Sequence, residues 1–158
     1  MNIAIVGATG NVGRKIIEVL ETSKILINNL YLLASSKSSG TKLNFRKKEI
    51  EVENLEKFDF IKADICFFAA GKEISKKYAS LASKKCLIID NSSFFRMDPD
   101  VPLVVPQVNP EALKTIKKNI ISNPNCSTAQ LVIVLNPVHK LFKVKRIVVS
   151  TYQSVSGA

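Results

Sequence analysis

A chain of 158 residues with 46% apolar side chains and charges of both signs is enough for one soluble globular domain and the opening of a second. No apolar run reaches bilayer-spanning length, the start Met1-Asn2-Ile3-Ala4-Ile5 lacks the basic region of a signal peptide, and three cysteines with one histidine, His139, make neither a disulfide framework nor a zinc site. The net charge of +10 is spread over single and paired basic residues without interleaved aromatics, a solvated face rather than a nucleic-acid surface. A cytoplasmic protein with small-molecule partners, no membrane, no nucleic acid and no metal is expected.

Asn2 to Val6 reads as a short buried strand. Gly7-Ala8-Thr9-Gly10-Asn11-Val12-Gly13 follows, and Val12, Ile16, Ile17, Val19 and Leu20 then recur at helical spacing through Glu21. Strand, glycine turn and helix stand in the order of a dinucleotide site, here in the G-x-x-G-x-x-G variant. The glycines serve a tight turn, the approach of backbone to a pyrophosphate, and close packing of helix on sheet. The next strand, Leu30 to Ala34, ends in Ser35-Ser36-Lys37-Ser38-Ser39-Gly40. A carboxylate for a ribose 2′-hydroxyl is missing there, and a cation stands among hydroxyls, which favours NADP over NAD.

Lys42 to Phe45 and Glu49 to Val52 form a two-stranded excursion around Arg46-Lys47-Lys48. Ile65 to Ala69 is a buried strand whose end, Phe68-Ala69-Ala70-Gly71, leaves room for a ligand. A helix follows over Ser75 to Lys84, with Tyr78, Leu81 and Ala82 on its apolar face. Cys86 to Asp90 is the next strand, running into Asn91-Ser92-Ser93-Phe94-Phe95-Arg96. At that position Arg96 fits an anion clamp and a plain surface arginine equally well. Pro102 to Pro106 is extended, and Pro110 opens a short helix over Glu111 to Lys117.

The run Asn119-Ile120-Ile121-Ser122 then leads into Asn123-Pro124-Asn125-Cys126-Ser127-Thr128, and a long apolar-periodic run from Ala129 to Phe142 leads out. Cys126 is therefore expected at a strand-to-helix turn. The unpaired N–H groups and positive dipole end there favour an anion, thiolate over thiol, and so a nucleophile. Cys66 and Cys86, inside strand-like runs, suit the core instead. Pro137 should kink or end the helix near Asn136. Val144 to Tyr152 reads as a last long strand. Alternating strands and helices predict an α/β fold, a Rossmann-like doubly wound and mostly parallel sheet.

Six segments, GATGNVG (7–13), LASSKSSG (33–40), NSSFFR (91–96), PLVVPQVN (102–109), NPNCST (123–128) and VSTYQSVSGA (149–158), together resemble aspartate-semialdehyde dehydrogenase in order and spacing across the whole chain. The resemblance implies NADPH-dependent reductive dephosphorylation of L-aspartyl 4-phosphate to L-aspartate 4-semialdehyde through a cysteine thioester, a step of lysine, threonine, methionine and diaminopimelate biosynthesis. It implies Cys126 as the nucleophile, with Gln153 beside it as the second catalytic residue. Arg96 becomes a phosphate-binding arginine, and Asn125 helps hold substrate. Cofactor contacts fall on Gly7, Thr9, Gly10, Asn11, Val12, Gly13, Ser35, Lys37, Ser38, Gly71, Ser156 and Gly157. Lys37 departs from the family's usual arginine, Gln107 from glutamate and Lys72 from a small residue. N-acetyl-glutamyl-phosphate reductase shares the scheme but carries a different sequence around its cysteine.

Family members run about twice this length and are homodimers or homotetramers. The resemblance thus divides the chain into an NADP-binding domain, 1–125, and the truncated beginning of an α+β catalytic and dimerisation domain, 126–158. The family's catalytic histidine and carboxylate-binding arginine lie beyond that match. His139 is no substitute: it follows Cys126 by 13 positions on one expected helix, on the order of 20 Å away. The fragment is expected to be inactive alone and to expose an apolar patch. The alternative is a non-catalytic NADP-binding remnant of a split or decaying gene. A short-chain reductase is excluded, since Tyr31, Tyr78 and Tyr152 are followed four residues later by Ser35, Ala82 and Ser156 rather than lysine.

Overall fold

In the computed structural model, residues 1–152 are described, and their centre is a seven-stranded sheet. Its strands are β1 (Asn2–Val6), β2 (Asn29–Ala34), β3 (Lys42–Phe45), β4 (Lys48–Asn54), β5 (Ile65–Phe68), β6 (Leu87–Asp90) and β7 (Ile120–Ser122). They lie in the order β3-β4-β2-β1-β5-β6-β7. Every neighbouring pair is parallel except the β3–β4 hairpin. The predicted mostly parallel, doubly wound sheet is what forms.

Alternation along β1 explains the two-sided winding. Ile3 and Ile5 point to one face, where helix α1 (Asn11–Thr22) buries Ile17 and Leu20 against them. Ala4 and Val6 point to the other, where Ala79 and Ala82 of helix α2 (Lys72–Ala82) close a core with Phe58, Phe68 and Ile88. Side chains at i and i+2 on a strand share a face, so one short apolar run serves both layers. The thiols of Cys66 and Cys86 lie inside this second core, as expected.

The excursion 42–54 does more than the sequence suggests. Beyond its antiparallel pairing with β3, β4 also joins β2 in parallel, Leu32 opposite Val52. Arg46 and Lys47 turn the hairpin with φ of 47° and 65°. The Arg46 backbone N–H donates to the Glu21 carboxylate at 2.7 Å. Its guanidinium Nη2 donates to the carbonyls of Leu20, Ser23 and Ile25, at 3.2–3.3 Å, where α1 ends. Carbonyls at a helix C-terminus lack intrahelical partners, and a cation there also suits the dipole.

Three expectations need correction. Helix α2 begins at Lys72, not Ser75, so its buried stripe is Ser75, Ala79 and Ala82, and Leu81 is left 60% exposed. Helix α3 runs unbroken from Cys126 to Phe142 through Pro137. Proline removes the hydrogen bond to the carbonyl of Ile133, but Ile133 is 41% exposed, so that carbonyl is open to solvent. Finally, 144–152 forms no strand and lies almost wholly exposed. A strand needs a partner, and the free edge of β7 is already covered: Ser122 donates to the Pro102 carbonyl, and Val104 donates back to Ser122.

Candidate active site

The chain leaves β1 for β2 on one side and returns to β5 on the other. Ligands in such sheets bind outside the carboxyl ends of the strands at this reversal. A cleft of about 370 Å³ opens there. Gly7, Thr9 and Gly10 form one wall, Ala34 and Ser35 a second, and Ala69 and Ala70 the floor beside β5. Gly7 holds φ +86°, and a Cβ on it would stand 2.8 Å from the Ala69 carbonyl. On Gly13 a Cβ would stand 2.1 Å from the Gly7 carbonyl oxygen, so α1 lies against the turn with no room for a side chain.

The Gly10 N-cap places no side-chain acceptor on the first turn of α1, and that turn holds no acidic residue. The N–H groups of the helix N-terminus are thus uncapped by side chains, at the mouth of the cleft, as a pyrophosphate requires. Asn11, Val12 and Gly13 supply that turn. The Val12 side chain faces away from the cleft, toward Ile16, Val19 and Phe67. Lys37 is exposed on the turn 36–40, outside the cleft wall, while Ser38 is half-buried and donates its N–H to the Ser35 carbonyl at 3.0 Å. Gly71 caps α2 just past the floor, with φ 85°.

The sequence reading missed the far bank. Leu55, Glu56, Ile74, Lys77 and Tyr78 also line the cleft. Glu56, brought beside Ser35 by the β2–β4 pairing, faces Lys77 Nζ at 3.8 Å, and that ammonium sits 4.9 Å from the Tyr78 ring centre. Only the long-range pairing of β4 and the packing of α2 reveal this, although the amphipathic spacing of Ile74 and Tyr78 was a usable signal.

β7 is parallel to β1, so the turn after Ser122 opens at the same end of the sheet as the glycine turn. Asn125 caps α3 by accepting the Ser127 N–H at 2.9 Å. Cys126 is the first helical residue. Its sulfur is exposed, 4.0 Å from Asn125 Oδ1. The other two thiols are buried: burial pushes Cys66 well up from the ordinary range, and burial followed by the charge of Asp64 lifts Cys86 to about 11. His139 lies in the last turn of the same unbroken helix, which keeps it out of reach of Cys126.

Arg96 stands between the two ends β6 and β7. Its Nε–H donates to the Asn123 carbonyl at 3.0 Å and an Nη2–H to the Asn91 carbonyl at 3.1 Å. It is half-buried, and among the described residues no carboxylate lies within ion-pair distance of it. Below it, Asp90 is fully buried and accepts Ser75 Oγ and Ser92 Oγ, each at 2.7 Å, and the Ser92 N–H at 3.1 Å. Gln153, Ser156 and Gly157 lie outside the described residues. Among the described residues no group of side chains could hold a metal, and no helix is long and apolar enough to cross a membrane.

A parallel sheet with a glycine cleft at its reversal point defines a dinucleotide-binding domain, here with an exposed cysteine at the same sheet end. The profile "Semialdehyde dehydrogenase, NAD binding domain" matches residues 2–116. The aspartate-semialdehyde dehydrogenase of Rickettsia bellii is 48% identical over 99% of this chain and 47% of its own length. The crystal structure of aspartate semialdehyde dehydrogenase II from Vibrio cholerae, complexed with ASA, superposes with a TM-score of 0.86 at 46% identity, covering 88% of this chain and 46% of that one. The enzyme from Candida albicans, solved with NADP, gives 0.72 at 30% identity, covering 89% and 47%. The chain belongs to the semialdehyde dehydrogenase family, and its relatives there are aspartate-semialdehyde dehydrogenases. It spans about half the length of the curated relatives it matches.

Proposed function

We propose that this chain supplies the nucleotide site and the nucleophile for NADPH-dependent conversion of L-aspartyl 4-phosphate to L-aspartate 4-semialdehyde. The observation that carries this reading is the placement of an exposed Cys126 and a half-buried, carboxylate-free Arg96 at the sheet end that also holds the glycine cleft. The Cys126 thiolate attacks the acyl carbon, the C–O bond to phosphate breaks, and inorganic phosphate leaves with the electron pair. A thioester remains on Sγ. Arg96 holds the phosphate, its charge meeting the anion through the N–H groups not spent on backbone. Asn125 orients substrate beside the sulfur, and Gln153 completes that contact. When bound, the dinucleotide supplies the hydride that takes the thioester to the aldehyde level.

The cleft fits that cofactor. Its backbone cradle leaves no room for a Cβ at Gly7 or Gly13, and its helix N-terminus is free of side-chain caps. Lys37, Ser35 and Ser38 favour a 2′-phosphate, hence NADP over NAD; Ser156 and Gly157 belong to the same cofactor set. Residues 126–158 open the catalytic and dimerisation domain. By themselves the 158 residues bind NADPH weakly and turn nothing over, since among the described residues Cys126 has only the Asn125 amide, and no acid/base, as a hydrogen-bond partner.

Fluorescence titration with NADPH and NADH tests the first part, with saturable binding and tighter NADPH expected. No binding of either overturns the nucleotide reading. Phosphate-dependent NADPH formation from aspartate semialdehyde by this chain alone would overturn the claim of incompetence.

A further inference from the structure

The ends of β6 and β7 are joined by more than sheet hydrogen bonds. Asn123 donates its Nδ2 to Asn91 Oδ1 at 2.8 Å, and its backbone N–H donates to the Asp90 carbonyl at 2.8 Å. Arg96 bonds the carbonyls of both asparagines. Asn91 in turn donates its backbone N–H to the Phe68 carbonyl at 3.0 Å, fixing the assembly to β5. The root of the 91–96 loop is held by the buried Asp90 through Ser92, whose Oγ also accepts the Phe94 N–H at 3.1 Å.

We infer that Asn91 and Asn123 are positioning residues that clasp the Arg96 guanidinium to the backbone of the turn carrying Cys126. The argument is one of reach and charge. Asn123 precedes Cys126 by three residues, so a cation tied to its carbonyl is anchored to backbone that lies at most about 11 Å from the Cys126 Cα. A free arginine side chain samples many rotamers and would lose that position most of the time. Two carbonyls hold this one, and the Asn91–Asn123 amide bond keeps those carbonyls side by side. The clasp is half-buried, so its hydrogen bonds face less competition from water than surface pairs do. Neither asparagine touches the reacting atoms in this scheme. They act through Arg96, and the inference rests on the reading of Arg96 and Cys126 as partners in the site.

The charge near the sulfur can be read without catalysis, by alkylating the native chain with iodoacetate and with iodoacetamide and comparing rates at Cys126 by peptide mass spectrometry. The urea-unfolded chain gives the reference ratio. A unit charge about 10 Å away in water should raise the native anionic-to-neutral ratio up to about twofold over that reference at low ionic strength. Asn91→Ala and Asn123→Ala should each bring the ratio down to the value seen in Arg96→Met, and the double variant should fall no further, because both break one bond. Cys66 and Cys86 report folding in the same digest, since they label only if the core opens. Should Asn123→Ala open it, Asn91→Ala breaks the same amide bond while leaving the 123–126 turn unaltered, and decides the question. A raised native ratio that both asparagine variants preserve overturns the clasp alone. A native ratio equal to the unfolded reference overturns the pairing of Arg96 with Cys126, and the clasp with it.

Discussion

Helices α1 and α3 start in the same way and end up in opposite conditions. Each follows a parallel strand at the same end of the sheet. The first buries Gly13, Ile17 and Leu20 and carries no side-chain cap. The second, five residues longer, buries none of its residues and is capped by Asn125. An uncapped helix end pressed into a core is a receptor made of backbone, ready for an anion. A capped end on an open helix has spent one of its first N–H groups on its own cap and presents a side chain instead, here a thiol. The cradle is thus complete in its own packing, while the thiol half of the site depends on what lies beside it.

The sharpest way to break this contrast is the same substitution in both regions. Phe68→Ala, in the core beneath the cleft, should cost about 3–5 kcal/mol. Phe142→Ala, at the 77% exposed end of α3, should stay within about 0.5 kcal/mol. Urea titrations of the two variants measure it; equal losses would mean that α3 is packed as firmly as the sheet. Next in size is Gly13→Ala, which forces a Cβ onto the Gly7 carbonyl and should cost roughly 1–3 kcal/mol while abolishing NADPH binding. A variant that keeps both would show that α1 slides freely on the turn.

A smaller effect separates the buried thiols from the exposed one. The folded Cys86 thiol is raised from 9.0 to about 11, so the unfolded chain loses its proton first as pH rises. Its contribution to stability is complete below about pH 9 and declines between about 9 and 11. Melting temperatures across that window should fall, and Cys86→Ala should flatten the slope.

Much of the cradle was legible because it is local. The glycine spacing, the strand before it and the apolar stripe of α1 all lie within 21 residues, and each dictates backbone geometry by itself. The turn at Cys126 was legible for the same reason. Glu56 and Lys77 on the far bank were not, because Glu56 comes beside Ser35 only through the pairing of β4 with β2, and Lys77 meets Glu56 from a different element, α2. The Asn91–Asn123 clasp likewise joins residues 32 apart, and polar letters after a strand do not announce their partners. The strand expected over 144–152 failed in the opposite sense. Its composition suits a sheet, but composition cannot supply a neighbour. Pro137 does not end α3 near Asn136, because the carbonyl it leaves without a donor, that of Ile133, is open to solvent.

The Arg46 fastening has a consequence for anyone altering this protein. The hairpin tip, which looks like a spare surface loop, is bolted to the tail of α1, the helix whose head faces the cofactor. A tag or graft spliced between Phe45 and Lys48 would therefore loosen the nucleotide cradle from behind, across the full length of the helix, without touching any residue that lines it.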